Sequence, residues 1–454
     1  SDDVGGLAKM VQTCTALQLL DLSENDLVKL TVDKSEWQHV CDALGTNSTL
    51  TNLNLNSNHL GALGVRIASR ALIGATALKR LGFSYNEPGV EPALSDLLRA
   101  HPSLTSIELV EAIDRHFPSR SKDDVGRALL ENKAKKLGFL HCDMFVLSEE
   151  TKSLVWPKEA LTSDAVLLAG VLTTNTILTT FNIATGANLD NKARSALGEA
   201  LLNNPGSRVA FCNDFGLTPG VDNCEFDLSR SELKDVEPFR LLAGCLRGNR
   251  TLTHVTLMQL RMEQIATLAL ALRGNSTLAQ LDIIHTTRTG GQSVVRLPVP
   301  KLNGSTGEQQ PPKSPVKQAS KADKDAKSRA SRSSVEEVEV EKDDPRNVDL
   351  SKTCLEGHIG RVACAMIGTL IAPNTSLTYL DLSDTGIGQA IGSEGEGGHI
   401  LLRPLCESNT CPLTEVNLSN IQLNDKAGTK LMSALATGLG KGDCGYEKIT
   451  RLNL

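Results

Sequence analysis

A leucine-centred pattern recurs along the chain. The frame L-x-x-L-x-L-x-x-N-x-L begins at Leu17 and again at Leu50. Shorter versions of the frame begin at Leu78, Leu104, Leu178, Leu252, Leu278, Leu377, Leu413 and Ile449. Weaker matches fall at 137–142 and 208–211, where the spacing requires a copy, so the sequence predicts about twelve repeats.

Each repeat is predicted to hold one short strand and one helix. In the L-x-L core, alternate residues of a strand face opposite ways, so the leucines point inward and the residue between them points to solvent. Between the strands, apolar residues recur at three and four positions, which is typical of an amphipathic helix. Leu60, Leu63, Ile67, Ala71 and Leu72 show this spacing. One unit cannot bury its own apolar face, so neighbouring units must stack.

Composition narrows the class of protein. Of the 454 residues, 40% are hydrophobic and only 3% are aromatic, so the core is aliphatic. A formal net charge of -6 gives no general attraction to nucleic acid or to an anionic membrane, and no apolar run is long enough for a membrane span. The eleven cysteines are scattered and never spaced as C-x-x-C. We therefore expect reduced thiols and a cytoplasmic protein, with cytoskeletal or nuclear association left open.

The repeat chemistry resembles the leucine-rich repeat superfamily, in its ribonuclease-inhibitor-like subclass. The strand sequence L-D-L-S stands at Leu20–Ser23 and at Leu380–Ser383. The entry N-x-[ST]-L that precedes a strand begins at Asn47, Asn249, Asn275 and Asn374. The resemblance implies an α/β solenoid, shaped as a horseshoe, with parallel strands on the concave face and helices on the convex face. It implies protein partners more than small molecules, because a solenoid offers an extended surface instead of a deep pocket.

One long insertion interrupts the pattern, since Leu278 and Leu377 are 99 residues apart. Residues from about Thr286 to Pro345 are rich in Lys, Ser, Pro, Gln, Asp and Glu, a composition typical of disorder. We interpret 1–285 and 346–454 as two parts of one solenoid, separated by a disordered insertion at 286–345. Within it, Ser314, Ser331 and Ser333 stand in proline-directed or basic contexts that favour phosphorylation, although such strings are common in any disordered segment.

Motifs of catalysis are missing from the sequence. The glycine-rich stretch from Gly386 to Gly398 lacks the Lys-Ser/Thr ending of a phosphate-binding loop. The nine histidines form no H-E-x-x-H pair, and no G-x-S-x-G elbow occurs. We therefore expect no catalytic residue, no cofactor and no metal site, and we expect that the protein is not an enzyme.

The solvent-facing strand positions form a polar line. They are Asp21, Asn54, Glu108, Asn182, Asp282, Asp381, Asn417 and Asn453. Asp or Asn at this position belongs to the repeat itself, so we expect solvated side chains, and Asp381→Ala is predicted to leave stability nearly unchanged. Extra residues collect in the strand-to-helix connections, which places them along one edge of a solenoid.

The sequence thus predicts a non-enzymatic scaffold that binds a macromolecular protein partner through the concave sheet and the strand-to-helix edge. The candidate contact residues are Tyr85, Glu108, Met258, Asp282, His285 and Tyr379. We expect a monomer that binds neither nucleic acid nor membrane. Alternatives are a GTPase-activating protein resembling the Ran activator, an actin-associated protein resembling tropomodulin, and the repeat half of an innate immune sensor. The first and last residues fall inside the pattern, so we expect a longer array.

Overall fold

The computed structural model alternates short strands with helices along most of its length. It describes residues 2–27, 34–87, 92–111, 118–229, 233–275, 277–278, 280–286, 292–298, 347–350, 357–371, 378–392, 414–439 and 451–453. The predicted phosphorylation sites Ser314, Ser331 and Ser333 lie outside these ranges. The described parts form an α/β repeat architecture in which most neighbouring strands are parallel.

Twelve α-helices lie in the described ranges. They are α1 Asp2–Thr13, α2 Lys34–Thr46, α3 Gly61–Leu72, α4 Pro92–Ala100, α5 Ser119–Glu131, α6 Thr162–Leu172, α7 Asn191–Asn203, α8 Val236–Gly248, α9 Met262–Gly274, α10 Gly357–Ile371, α11 Gly388–Gly392 and α12 Asp425–Leu439. Helix α7 begins at a polar cap. The side chain of Asp190 accepts the backbone N–H of Ala193 at 2.7 Å, which satisfies a donor that the first turn of α7 cannot pair.

Sixteen strands are described, and they form four sheets. The first sheet contains β1 Leu19–Asp21, β2 Asn52–Asn54, β3 Arg80–Gly82, β4 Ser106–Leu109, β5 Phe139–Cys142 and β6 Val146–Leu147. The second contains β7 Ser153–Trp156 and β8 Thr180–Ile183. The third contains β9 Asn223–Asp227, β10 His254–Met258, β11 Gln280–Thr286 and β12 Gln292–Pro298. The fourth contains β13 Asn347–Asp349, β14 Tyr379–Asp381, β15 Glu415–Asn417 and β16 Arg451–Asn453.

The predicted leucine register is confirmed in the first sheet. One inward residue from each parallel strand pairs with the next, and all are buried: Leu20, Leu53, Leu81, Ile107 and Leu140. The residues between the leucines face the other way, as the period of a strand requires. The weaker frame at 137–142 is confirmed as β5, and the frame at 208–211 forms a single bridge between Phe211 and Thr180.

Two antiparallel hairpins interrupt the parallel strands. Strand β6 pairs with β5, and β12 pairs with β11 over seven residues from Gln292 to Pro298. Strand β12 lies inside the range predicted to be disordered, so that prediction is wrong for Gln292–Pro298. A strand forms there because pairing uses backbone groups and needs no leucine. The rest of the insertion, 287–291 and 299–345, lies outside the described residues.

Glycines let neighbouring helices touch. A Cβ on Gly198 of α7 would lie 2.3 Å from the backbone carbon of Arg240 in α8, and one on Gly126 of α5 would lie 2.6 Å from the carbonyl oxygen of Val166 in α6. Real side-chain carbons do not approach backbone so closely, so only glycine fits at these positions. The small residues of the repeat therefore bring helix against helix.

An asparagine closes most of the helix-to-strand turns. The Oδ1 of Asn175 accepts the backbone N–H of Leu178 at 2.9 Å, and its Nδ2 donates to the carbonyl of Gly138 at 2.8 Å. The same arrangement recurs at Asn47, Asn132, Asn204, Asn249 and Asn275. Each side chain thereby satisfies buried backbone groups of two adjacent repeats.

His101 takes the place of this asparagine in one repeat. Its Nδ1 accepts the backbone N–H groups of Ser103 at 3.3 Å and Leu104 at 3.0 Å, so the ring proton belongs on Nε2. The Nε2 atom lies near the carbonyls of Leu72 and Ala75 without a well-aligned hydrogen bond. Burial lowers the pKa of His101 below its usual value.

A second series of polar residues closes the strand-to-helix turns. Asn58 donates to the carbonyls of Leu22 and Leu55, and its Oδ1 accepts the backbone N–H of Asn25 at 3.1 Å. Asn86 serves the next repeat in the same way, since its Oδ1 accepts the backbone N–H of Asn58 at 3.2 Å. The first three of these turns each place two non-glycine residues at positive φ: Glu24 and Asp26, Ser57 and His59, and Tyr85 and Glu87.

Glu111 ends this series with a carboxyl group in place of an amide. Its two oxygens accept the backbone N–H groups of Asn86 at 3.4 Å and Glu87 at 3.3 Å, and the side chain is only 6% exposed. Burial, together with the charges of Asp143 and Glu87, raises the pKa of Glu111 to about 7 against the opposing effect of the two backbone N–H groups. A neutral carboxyl is favoured there because an ion in this place is poorly solvated.

Candidate functional site

The strands present one row of side chains to solvent, opposite the leucines. We call this row the open sheet face, and in the first two sheets it consists of Leu19, Asp21, Asn52, Asn54, Arg80, Ser106, Glu108, Phe139, His141, Val146, Val155 and Asn182. All of these side chains are exposed or half-buried. The face mixes amides, charges and aliphatic groups, a composition suited to contact with another macromolecule.

Glu108 crosses the open sheet face. Its Oε2 accepts a hydrogen bond from Nδ2 of Asn56 at 2.8 Å. Asn56 follows β2 by two residues and Glu108 lies on β4, so the bond spans β3, which lies between these strands. The intervening residue is Gly82, where a Cβ would lie 2.6 Å from Oδ1 of Asn54. Glycine therefore makes room for a connected polar network, which includes a 2.8 Å hydrogen bond from the backbone N–H of Ser84 to Oδ1 of Asn56.

One exposed aliphatic side chain lies beside this network, and another lies on the second sheet. Val146 of β6 is the cross-strand partner of His141, and both side chains are exposed. Val155 of β7 is 55% exposed between the buried residues Leu154 and Trp156. The sequence analysis missed β6 and β7, although the alternation around Val155 was a signal that could have revealed a strand.

An exposed ion pair joins β3 to the connection that follows β6. The Nη2 of Arg80 lies 2.7 Å from Oε1 of Glu149, and both side chains are exposed. Such a pair contributes little to stability, because water solvates both groups in the unfolded chain as well. A partner that binds these two side chains therefore causes little loss in the stability of the fold.

Three of the predicted contact residues lie on the third sheet. Met258 pairs with Ile284, and Thr256 pairs with Asp282, so Met258 and Asp282 are diagonal neighbours on the solvent-facing side. Both are half-buried, and Oδ1 of Asp282 accepts a hydrogen bond from Nε2 of Gln280 at 2.9 Å. His285 lies in β11, where its backbone pairs with Ser293 of β12.

The Tyr379 side chain forms a hydrogen bond within the fourth sheet. Its hydroxyl donates to Oδ2 of Asp381 at 2.8 Å, and Nδ2 of Asn417 donates to the same oxygen at 3.1 Å. Asp381 is only 9% exposed, and its Oδ1 accepts the backbone N–H of Ser383 at 2.8 Å. The expectation of a solvated Asp381 is wrong, because Tyr379 and Asn417 cover it. Asp381→Ala therefore leaves several buried donors unpaired and destabilises the protein.

Tyr85 does not lie on a strand. It follows β3 by three residues, and its φ of 55° places it in the strand-to-helix turn. Its side chain is exposed, so it belongs to the edge beside the open sheet face. The candidate contact residues therefore lie on three separate sheets and one turn, and the structure places Met258 and Asp282 as direct neighbours.

The His, Cys, Asp and Glu side chains of the described residues are dispersed. No cluster of three or more His, Cys, Asp or Glu side chains there has the arrangement of a metal site. The described cysteines are unpaired thiols, and burial raises the pKa of Cys142 to about 11. Across the same ranges, every helix is either too short or too polar to cross a lipid bilayer.

Comparisons with known proteins add little. No family model and no curated protein matches the chain. A solved structure of the tropomodulin C-terminal domain from Caenorhabditis elegans is similar to part of it, with 13% sequence identity and a TM-score of 0.29, over 37% of this chain and 91% of that chain. At that TM-score the likeness supports no argument about function. The described chain thus stands as an α/β repeat protein with parallel strands.

Proposed function

We propose that this protein is a non-enzymatic scaffold of the leucine-rich repeat kind, which binds a protein partner through the open sheet face. In this proposal the strand layer is the concave side of a horseshoe of about twelve repeats. The partner contacts the sheet together with the strand-to-helix edge that carries Tyr85.

The exposed valines carry the proposal. Val146 and Val155 are large aliphatic side chains at solvent-facing strand positions, where the repeat itself uses polar residues such as Asn54. Leu19 of β1 is exposed in the same way. Apolar groups at such positions add nothing to the core, and a partner that covers them gains free energy from their removal from water.

Polar groups supply the specificity in this proposal. Arg80, Glu149 and His141 lie in the first sheet and its connection, and the amide network around Glu108 lies beside them. A mixture of aliphatic contact and directed hydrogen bonds is typical of protein interfaces, whereas a small-molecule site needs an enclosed cavity. We propose a cytoplasmic monomer that needs no cofactor and that binds neither nucleic acid nor membrane.

The test compares a variant of the open sheet face with a control variant of the helix surface. The open-face variant carries Val146→Thr, Val155→Thr and Met258→Gln, and the control carries Leu63→Gln and Leu130→Gln at exposed helix positions. Each is used to capture proteins from cell extract, and recovered proteins are quantified by mass spectrometry against the wild type. Thermal melts establish that both variants are folded.

The proposal expects a defined set of proteins that the wild type and the control recover and the open-face variant loses by about tenfold or more. If the control alone loses them, the interface lies on the helices. If both variants recover the same proteins as the wild type, the open sheet face is not the binding surface.

A further inference from the structure

Four arginines lie where helices end and the chain turns back into a strand. Arg247 and Arg273 occupy the same place in α8 and α9, each one residue before the terminal glycine. Arg250 and Arg208 follow the turn asparagines of their own repeats. We call Arg208, Arg247, Arg250 and Arg273 the basic edge. It lies at the opposite ends of the strands from the turn that holds Tyr85.

Backbone contacts bring Arg208 next to the turn of α8. The Nδ2 of Asn249 donates to the carbonyl of Ala210 at 3.2 Å, two residues beyond Arg208. Gly248 lies so close to Val209 that a Cβ would be 2.3 Å from its carbonyl oxygen. The two turns are therefore in direct contact, and the arginines that flank them share one surface.

The remaining arginines are joined to this surface by their own side chains. The Nη1 of Arg250 donates to the carbonyl of Arg247 at 3.0 Å, and Nη1 of Arg247 donates to the carbonyl of Leu270 in α9 at 2.9 Å. Arg273 follows Leu270 by one helical turn. Burial lowers the pKa of Arg250, and the charge of Arg208 lowers it further, as expected of like charges held together.

The four arginines differ from others of the chain in their partners. Arg80, Arg99, Arg127 and Arg194 each form an ion pair with a carboxylate. In the part of the chain that the structure describes, Arg208, Arg247, Arg250 and Arg273 form no such pair. Two of them bind only backbone carbonyls, which leaves most of their N–H donors unused.

We propose that the basic edge is a second binding surface, which holds an acidic segment of a partner protein through guanidinium–carboxylate pairs. The planar guanidinium matches two oxygens of a carboxylate at once, so a row of arginines selects a run of Asp and Glu. The exposed side chain of Leu270 lies within the row and gives an apolar contact. A partner that brings carboxylates also relieves the repulsion between the clustered charges.

An acidic protein segment fits this surface better than a nucleic acid does. Proteins that bind single-stranded nucleic acid combine basic side chains with aromatic side chains on which the bases stack. None of the four has an aromatic neighbour in its own turn on which a base could stack.

The experiment measures fluorescence anisotropy of a fluorescein-labelled octaglutamate peptide titrated with the full chain. An octaglutamine peptide and an oligothymidylate of equal charge are run beside it. The test variant carries Arg208→Gln, Arg247→Gln, Arg250→Gln and Arg273→Gln. The control carries Arg70→Gln, Arg99→Gln, Arg120→Gln and Arg127→Gln at exposed helix positions, which change the net charge equally. Because Arg247 also binds a backbone carbonyl, a milder variant with only Arg208→Gln and Arg273→Gln is included, and circular dichroism melts check all three.

We expect octaglutamate to bind the wild type and the control alike, and to bind the test variant about tenfold or more weakly. The milder variant should bind with intermediate affinity, octaglutamine should not bind, and added salt should weaken binding. Equal loss in the test variant and the control would overturn the proposal, as would no binding of octaglutamate to the wild type. Tighter binding of the oligothymidylate through the same four arginines would also overturn it, in favour of a nucleic acid surface.

Discussion

Lys122 of α5 and Asp164 of α6 form an ion pair, with Nζ 2.6 Å from Oδ1 and with side chains that are 5% and 0% exposed. The other oxygen of Asp164 accepts the backbone N–H of Leu161 at 2.8 Å, so the carboxylate also caps the start of α6. Strands β5, β6 and β7 separate these two helices in sequence, yet the helices pack directly against each other. The pair therefore joins the helix layer where the strand layer is interrupted.

Removing the lysine should be costly. Lys122→Met leaves Asp164 buried without its counter-ion, and we expect a loss of about 3–5 kcal/mol in the free energy of unfolding. Adding Asp164→Asn should recover part of that loss, because the amide oxygen still caps Leu161 and no charge stays buried. Urea denaturation of both single variants and the double variant measures the coupling. Arg99→Met, which breaks the exposed pair with Glu131, should cost less than about 1 kcal/mol. A Lys122→Met variant as stable as that control would contradict the account.

Gly198 tests the close contact between α7 and α8. Gly198→Ala places a Cβ 2.3 Å from the backbone of Arg240, so the helices must move apart. We expect the free energy of unfolding to fall by about 1–3 kcal/mol. Gly428→Ala is the matched control in α12, where a Cβ meets nothing within 4 Å. That change should stabilise by about 0.5–1 kcal/mol, because alanine favours a helix more than glycine does. Thermal melts that rank the two variants the other way would show that the helix packing is wrong.

His101 should make stability fall in mild acid. The pKa of His101 is lowered by burial, so below its ordinary value of 6.5 the unfolded chain takes up a proton before the folded chain does. The free energy of unfolding then decreases as pH falls, by at most about 1.4 kcal/mol for each pH unit. His101→Asn installs the residue that other repeats use and should remove this share of the pH dependence. Urea denaturation at pH 7.5 and 5.5 measures it, and His141→Asn on the open sheet face is the control. If His101→Asn leaves the wild-type difference intact, the assigned role of the ring is wrong.

Glu111 should change the pH dependence of stability in the direction opposite to that of His101. Its pKa is about 7 when folded and 4.5 ordinarily, so the folded chain holds a proton that the unfolded chain has lost across this interval. The free energy of unfolding therefore decreases as pH rises from about 4.5 to about 7. Glu111→Gln removes the titration and should stabilise the protein more at pH 8 than at pH 5. Chemical denaturation at both pH values checks this, and an equal effect at the two would mean that the carboxyl is already charged at pH 5.

The repeating core was predictable because it rests on spacing alone. Leu53 and Leu81 recur in a frame that only a strand followed by a helix satisfies, and both are buried as predicted. The leucine pattern did not predict strand β9, because Cys224 and Phe226 occupy positions where the frame has leucine. Strand β12 was not predicted because it has no leucine-rich frame, although Val294, Val295 and Leu297 give it strand-forming residues, and it pairs antiparallel with β11.

The candidate site was less predictable than the core. Burial of Asp381 depends on a tyrosine two residues earlier and an asparagine on the next strand, a relation between side chains that no periodicity encodes. The exposed side chains of Val146 and Val155 were not predicted, because strands β6 and β7 were not predicted. Proximity of Arg208 to Arg250 depends on contact between two turns of adjacent repeats, which the sequence places 42 residues apart.

Photo-crosslinking tests the central claim most directly. Benzoylphenylalanine is placed at Val155 on the open sheet face or at Leu63 on α3, both exposed, and each protein is irradiated in cell extract. The account predicts a light-dependent adduct with a protein at Val155 that excess wild-type chain suppresses, and no such adduct at Leu63. A specific adduct at Leu63 alone, or none at Val155, would contradict the claim that the open sheet face binds a protein partner.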